Sequence, residues 1–448
     1  GGQIPNNLAL KLHKRSVPIF GTSPDDIDRA EDRHIFSTLL DTMEIHQPGW
    51  IELTTLASAK KAAAKLGYPV LVRPSYVLSG AAMSVAYDEP SLVRFLKRAV
   101  DVSSDHPVVM SKFIENAREI EIDGVAKDGA LVVYAITEHV ENAGTHSGDA
   151  TVVLPPQRTY LETIRRAKHI TKDVVRALKI TGPFNIQFLA KDNHLMVIEC
   201  NVRASRSFPF VSKVTGYNFI DIAIRAMLGL DVSDDYRTVE LDTVAVKSPQ
   251  FSYNRIKGAD PIHYVEMAST GEVACFGDSY YEALIKSMMA AGFRLPYKKT
   301  RRSNSSSESI NSGTPGNILL SLGKEENKVK LLPSIRTLSE MGFNIIATEH
   351  TADFLKENGV KCKRVYKLHS RQTPNVDGLW DTLDLIINIP ARALAREPKD
   401  GFIIRRKAVD MNIPLITNRQ LAEAFVTALF EIHGKKLTTK HWKEYSTK

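Results

Sequence analysis

The sequence predicts an α/β and α+β protein in two main parts. A mixed core runs over residues 22–296, and a small doubly wound parallel-sheet domain runs over 317–448. Three observations carry this. Two apolar runs, Phe184–Phe188 and Met196–Cys200, flank the polar turn Lys191-Asp192-Asn193-His194 and read as a hairpin of buried strands. Residues 297–316 lose all hydrophobic period and are rich in Ser and charge, as a flexible linker is. Beyond them, strand-like runs at Ile318–Leu320, Phe343–Ala347, Leu385–Ile389 and Pro414–Thr417 alternate with helical segments, the pattern of a parallel sheet.

In chain order, residues 1–7 read as a turn, Leu8–Leu12 as helix and Val17–Gly21 as the end of a strand. Thr22-Ser23-Pro24-Asp25 opens a helix with a hydroxyl cap and Pro in the first turn, and helical period runs from Ile27 to Leu40. Val70–Val72 is a buried strand delivering Arg73, and a small-residue loop through Ser79-Gly80 follows. Such a loop lets backbone N–H groups approach a phosphate closely. Val108–Ile114 is a strand running into Glu115, Glu119 and Glu121; by itself, Glu119-Ile120-Glu121 reads as an alternating strand with an acidic outer face. The loop Glu138–Asp149 holds His139 and His146, with His139 the weaker candidate and open to a packing role. After the hairpin a helix spans Phe219–Leu228, and residues 240–295 alternate strand and helix, with Lys247 on a buried strand.

Hydrophobic residues make up 43% of the 448 and charged residues 25%, as in an ordinary globular protein of several domains. The net charge of +8 is scattered rather than striped. That argues for small-anion binding and against nucleic acid. Cys200, Cys275 and Cys362 are far apart and odd in number, so neither a disulfide framework nor a zinc site is indicated, and a reducing compartment fits. No apolar run is long enough to span a bilayer, so no membrane partner is expected. Residues 1–7 lack a signal-peptide pattern and an initiator Met, and the chain reads as cut from a longer polypeptide.

Gln187, Glu199 and Asn201 interrupt or end the hairpin strands, and each carries a side-chain oxygen. A hard cation such as Mg²⁺ takes oxygen ligands, few from protein and the rest from phosphate and water. Arg203 and Arg206 follow at once, and guanidinium groups suit the phosphate oxygens that a metal leaves uncovered. The composite is a metal–triphosphate platform; the alternative is a solvated strand end with an ordinary ion pair.

This stretch resembles the metal-binding hairpin of ATP-grasp enzymes. The strings F-N-I-Q-F and I-E-C-N-V-R-A-S-R-S, with V-R-P-S-Y-V-L-S-G upstream, are similar to the carbamoyl phosphate synthetase family of eukaryotic type, in the C-terminal half of its large subunit. The resemblance implies four parts: residues 1–21 as the end of a Rossmann-like subdomain, 22–296 as an ATP-grasp core, 297–316 as linker, and 317–448 as a methylglyoxal-synthase-like regulatory domain. It implies ATP with two Mg²⁺ or Mn²⁺ ions held by Gln187, Glu199 and Asn201. Arg33, Arg73, Arg203 and Arg206 would face phosphate, under a lid containing Ser79 and Gly80. Ile114 would pack on the base, Glu119 would accept from the ribose hydroxyls, and His146 and Ser147 would lie beside the γ-phosphate. In the C-terminal domain it implies a small-molecule effector at Thr348, Thr351, Lys367 and Asn388; read without it, the threonines are simple helix caps. Relatives activated by acetylglutamate carry Trp where Lys367 stands and Asn where Ala391 and Gly401 stand. A uridine nucleotide is therefore favoured over acetylglutamate, although the end His441–Tyr445 resembles the acetylglutamate type.

The implied activity is phosphorylation of carbamate by MgATP to give carbamoyl phosphate and ADP. A first ATP-grasp half and an ammonia source, either a glutaminase domain or subunit or free ammonia, would be the partners, in an oligomer. The cytoplasm is favoured over the mitochondrial matrix, and pyrimidine, arginine and urea synthesis all stay open. Two other readings are another ATP-grasp ligase of the biotin-carboxylase kind, and a nucleotide-binding regulatory fragment without turnover. A biotin-dependent enzyme would carry a longer glycine-rich lid than Ser79-Gly80.

Overall fold

The computed structural model describes residues 3–53, 56–74, 83–102, 108–233, 236, 238, 241–256, 258–298, 313–391 and 399–445. The chain forms two compact units. One comprises Gly1–Val244, Val265–Met267 and Trp442–Lys448; the other comprises Ala245–Tyr264 and Ala268–His441. This division differs from the expected extents, since residues 245–264 and 268–296 group with the C-terminal sheet.

The first unit holds two antiparallel sheets. In one, Trp50–Leu53, Val108–Lys112, Val70–Pro74 and Ser84–Ala86 lie side by side in that order. The other places Val152–Leu154, Ala130–Asn142, Arg118–Lys127, Gly182–Lys191 and His194–Asn201 in that order. Successive residues of a strand face opposite sides. Ile120, Ile122, Phe184, Ile186, Phe188 and Cys200 therefore face a core shared with Phe36, Leu40, Ala167, Val174 and Val175. Burying each large apolar side chain contributes about 1.5–3 kcal/mol. Gly124 lies on this side because Phe184 fills the space: a Cβ would sit 2.6 Å from its Cζ.

The expected hairpin forms. Its turn uses left-handed backbone at Asp192 (φ 48°) and Asn193 (φ 63°), as a two-residue turn compatible with strand twist requires. One irregularity was not foreseen. Gln187 pairs with Glu199 while Phe188 pairs with Val197, leaving Ile198 as a bulge that re-aims Glu199.

Three local expectations are corrected. The N-terminal helix spans Gln3–His13, beginning inside the expected turn, and Val17–Phe20 form no strand. Val17 and Phe20 are exposed and lack the ladder that would make them one. The single helix expected over Ile27–Leu40 is two, Pro24–Glu31 and Arg33–Thr42, broken where Asp32 adopts ψ 114°. Asp32 Oδ1 accepts from Ile35 N at 2.9 Å and caps the second helix. Both helices bury apolar residues (Ile27 and Ala30; Phe36 and Leu40), so the periodicity hides the break. Ser23 occupies the expected cap position but makes no cap bond; Thr22 Oγ1 instead donates to Thr181 O at 3.1 Å.

In the second unit, Val244–Gln250, Gly271–Gly277 and the helix Tyr280–Ala290 supply the expected alternation, and buried Lys247 reaches Glu272 Oε2 at 3.1 Å. Within 297–316, Tyr297–Lys298 pairs with Thr314–Pro315, while 299–312 lie outside the described residues. The C-terminal sheet is parallel throughout, in the order Lys363–Val365, Asn344–Thr348, Asn317–Leu322, Leu385–Ile389, Leu415–Ile416. The edge strand Lys363–Val365 escaped the sequence because it is three residues long and two are charged. Strand order reverses between Asn317–Leu322 and Leu385–Ile389, the place in such sheets beside whose carboxyl ends ligands bind.

The cap gives a stability test. Asp32→Ala should cost about 1 kcal/mol, read as a lower denaturation midpoint, and Asp32→Ser should recover most of it.

Candidate functional site

Pairing register builds the site. Glu121 lies opposite Gln187, which lies opposite Glu199; Asp123 lies opposite Asn185, which lies opposite Asn201. Directly opposed residues have Cβ atoms about 4.5–5.5 Å apart. Two polar rows thus cross three strands on the face opposite the core. Asn185 Nδ2 donates to Asp123 Oδ1 (3.0 Å) and Glu121 Oε2 (3.2 Å), and Ser205 Oγ donates to Asp123 Oδ1 (2.6 Å).

Glu199 is the electrostatic centre. Arg33 Nη2 donates to its Oε2 at 2.9 Å, Arg33 Nη1 donates to Ile198 O at 2.5 Å, and Asn201 Nδ2 donates to Glu199 Oε1 at 3.0 Å. Burial alone raises the carboxyl pKa, but the Arg33 charge, the Asn201 amide and Arg73 outweigh it and hold Glu199 at about 2. Arg203 is oriented by Asn201 Oδ1 (3.1 Å) and by Gln3 Oε1 (2.9 Å), a residue 200 positions away that belongs to no motif. Arg73 is 7% exposed, and its Nε and Nη1 have no hydrogen-bond partner among the described residues. Burial and then the Arg33 charge lower its pKa to about 9, against the pull of Glu199. An unneutralised buried guanidinium is costly and suits an anion that supplies the missing acceptors.

These donors fit a hard divalent cation. Glu199 is ionised, and Gln187 donates through Nε2 to Ser147 Oγ (3.2 Å), which leaves Oε1 as an acceptor. Asn201 Oδ1 already accepts from Arg203, so its lone pairs are shared.

Two histidines divide the loop edge. Gly148 N donates to His146 Nδ1 at 3.0 Å, which puts the neutral ring's proton on Nε2, and burial lowers the His146 pKa. His139 is 1% exposed, 2.8 Å from Glu121 Oε1 through Nε2 and 3.8 Å from Glu119 Oε2 through Nδ1, a buried residue that is also ion-paired. Burial lowers its pKa, but Glu119 and Glu121 outweigh that and raise it to about 9. Burial lifts Glu119 to about 7 against the His139 charge. Arg158 holds this edge, with Nε on Glu138 Oε1 (2.7 Å) and Nη2 on His139 O (2.8 Å) and Val140 O (3.0 Å).

Ile114 is half-buried just past the strand Val108–Lys112, and Arg206 is exposed, its Nη1 3.1 Å from Met267 Sδ. Ser79 and Gly80 lie outside the described residues. In the C-terminal sheet, Thr348 takes the N-cap position of Glu349–Glu357 without a side-chain cap bond, and Thr351 Oγ1 accepts from Leu322 N at 3.1 Å. Neither threonine is therefore the simple cap its position suggests. Asn388 is 2% exposed, near the carboxyl end of its strand Leu385–Ile389, and half-buried Lys367 follows the edge strand. Asp123 continues the alternation Glu119-x-Glu121 by one step and was not singled out in the sequence; Asn185 lies within the F-N-I-Q-F string, but its bonds to Asp123 and Glu121 follow only from strand pairing.

Sheet, oxygen donors and buried cations together define an ATP-grasp fold. Solved structures agree in fold: a biotin carboxylase complex from Campylobacter jejuni (TM-score 0.53, 17% identity, 64% of this chain and 71% of that one) and the ADP complex of N5-carboxyaminoimidazole ribonucleotide synthetase (TM-score 0.51, 14% identity, 65% and 78%). The family model for the carbamoyl-phosphate synthase L chain, ATP binding domain, matches residues 32–234, and that for the MGS-like domain matches 330–417. Relatives include the multifunctional proteins pyrABCN of Emericella nidulans (49% identical over 98% of this chain) and URA2 of Saccharomyces cerevisiae (49% over 96%), each matched over 19% of its own length. Human carbamoyl-phosphate synthase [ammonia], mitochondrial, is 43% identical over 100% of this chain and 29% of its own. This chain carries the ATP binding domain of the carbamoyl-phosphate synthase L chain and an MGS-like domain. It spans about a fifth of the length of the multifunctional relatives.

The buried cluster sets a pH dependence. The folded His139 pKa lies above its ordinary 6.5, so its stabilisation is complete below pH 6.5 and is lost as pH rises through about 9. Glu119, raised from 4.5 to about 7, acts in the same direction at lower pH. The melting temperature should fall between pH 6.5 and 9, and His139→Gln should flatten that fall while destabilising the protein by roughly 3 kcal/mol at pH 6.5.

Proposed function

We propose that this chain phosphorylates carbamate with MgATP, yielding carbamoyl phosphate and ADP. The observation that carries this is the in-register row Gln187–Glu199, with Asn201 and Arg203, beside half-buried Arg33 and buried Arg73, the latter with two guanidinium nitrogens unsatisfied. It is a site for a polyanion and a hard cation, and the transfer requires no nucleophilic side chain.

A carbamate oxygen attacks the γ-phosphorus, the bond from that phosphorus to the β–γ bridging oxygen breaks, and the electron pair leaves with ADP. Catalysis of this kind rests on positioning and charge neutralisation. Gln187, Glu199 and Asn201 would hold Mg²⁺ or Mn²⁺, which supplies neutralisation of the phosphate charge. Arg33 fixes Glu199, and Arg73 offers Nε–H and Nη1–H to phosphate oxygens. Asn201 and Gln3 aim Arg203. His146 presents its Nε2–H, and Ser147, already accepting from Gln187, has its hydroxyl proton to donate. Glu119 serves the ribose hydroxyls, and Ile114 the base.

The whole enzyme requires the first ATP-grasp half and an ammonia source outside this chain, as its short span of the relatives suggests. The MGS-like domain exerts allosteric control through an anionic effector at Thr348, Thr351, Lys367 and Asn388, with a uridine nucleotide favoured. Among the described residues no helix is long and apolar enough to cross a membrane. The three free cysteines suit a reducing compartment, the cytoplasm or the mitochondrial matrix.

The partial reverse reaction tests this: ATP formation from ADP, carbamoyl phosphate and Mg²⁺, measured on this chain and on the full-length protein. Glu199→Ala should lower the rate by about 100-fold or more. An unchanged rate in Glu199→Ala, or no ATP from the full-length protein, overturns the reading.

A further inference from the structure

We propose that Glu31 is a positioning residue of the phosphoryl-transfer site, acting through the Gln3 amide to hold Arg203. This rests on the phosphoryl-transfer reading above and adds to it a relay that lies before the ATP binding domain of residues 32–234.

Arg203 carries five N–H donors in a rigid fork. Gln3 Oε1 takes Nε at 2.9 Å and Asn201 Oδ1 takes Nη2 at 3.1 Å. Among the described residues, Nη1 has a single long contact, to Ala204 O at 3.5 Å. Protein acceptors thus fix one edge of the guanidinium, and the end carrying Nη1 is left for phosphate oxygens. Because the fork is planar and rigid, holding one edge sets the direction of the other.

Gln3 can serve Arg203 in one amide orientation only. Turned over, its Nε2 hydrogens would meet the Arg203 Nε–H, donor against donor. Gln3 Nε2 donates to Glu31 Oε2 at 2.9 Å and to Asn7 Oδ1 at 3.2 Å. The Asn7 amide can itself turn over. An ionised carboxylate cannot change its role, since both of its oxygens accept and neither donates. Glu31 is therefore the fixed point that decides which end of the Gln3 amide faces Arg203. Its other oxygen, Oε1, accepts from Asn6 Nδ2 at 2.7 Å, and Asn6 Nδ2 also donates to Val202 O at 3.2 Å, one residue before Arg203. Glu31 thus reaches the arginine twice, through a side chain and through the backbone.

Local structure brings these groups together. Gln3, Asn6 and Asn7 stand at i, i+3 and i+4 on the helix Gln3–His13 and share one face. Glu31 ends the helix Pro24–Glu31, and the break at Asp32 lets Glu31 serve Gln3 while Arg33 serves Glu199. Burial raises the Glu31 pKa, and the bonds from Asn6 and Gln3 and the Arg203 charge pull against that rise. A half-buried carboxylate of this kind is retained at a desolvation cost that its two amide donors offset.

The test measures the partial reverse reaction on the full-length protein in wild type, Glu31→Gln, Gln3→Glu, the two exchanged together, and Gln3→Met. Glu31→Gln sets an amide N–H₂ against that of Gln3 or of Asn6, and Gln3→Glu sets two carboxylates against each other. The exchange restores the order of donors and acceptors. Gln3→Met keeps the chain length and removes the acceptor for Arg203 without moving a charge, which covers the case in which a charge change fails to fold. Each single variant should lower kcat/KM for carbamoyl phosphate by about tenfold or more while the ADP Kd moves less than about threefold, and the exchange should return kcat/KM to within about threefold of wild type. A wild-type kcat/KM in Glu31→Gln or in Gln3→Met overturns the relay and leaves the phosphoryl-transfer reading standing. Losses that the exchange does not recover, or that ADP affinity shares equally, overturn it in favour of a purely structural role. No ATP from the wild type overturns the phosphoryl-transfer reading, and the relay with it.

Discussion

The first unit depends on the register of three strands. Because Glu121, Gln187 and Glu199 oppose one another, the residues those strands give to the core around Phe36 fall on the other face. A one-residue slip of Arg118–Lys127 alone would drive Ile120 and Ile122 into the polar face and turn Glu119, Glu121 and Asp123 toward Phe184 and Phe188. The apolar core thus enforces the geometry of the site. The bulge at Ile198 is the one departure, and it turns Glu199 toward Arg33 and frees the Ile198 carbonyl to accept from the same guanidinium.

Electrostatics divides the polar face into two regions with opposite demands. Around Glu199 the cations Arg33 and Arg73 exceed the anions, and the carboxylate is strongly ionised. Around His139 the carboxylates Glu119, Glu121 and Glu141 exceed the single imidazole, and the His139 proton is held tightly. The first region suits added negative charge, whereas in the second the carboxylates are met by the His139 proton.

The second unit solves a different problem with the same chemistry. In a five-stranded parallel sheet the helix Glu349–Glu357 begins at the carboxyl end of Asn344–Thr348, beside the central strand. Thr351, which looks like a capping residue in sequence, accepts from the backbone at the end of the central strand. Asn388 is tied inward by Arg405 rather than standing open.

The sequence by itself determined the hairpin, its oxygen donors, the helix start at Pro24 and the parallel alternation of the C-terminal sheet. These follow from local periodicity and turn chemistry, which need no knowledge of distant residues. It left hidden the break at Asp32, because both flanking helices bury apolar faces. It passed over Asp123 and Gln3, because a polar residue's partners across the fold cannot be read from its own stretch of chain. Only the tertiary structure decided that Arg73 is buried without a full set of acceptors and that Arg405 joins Asn388 to Asp260. Those contacts link residues far apart in the chain, and the cost of desolvating a charge, which makes them informative, exists only once the chain has folded around it.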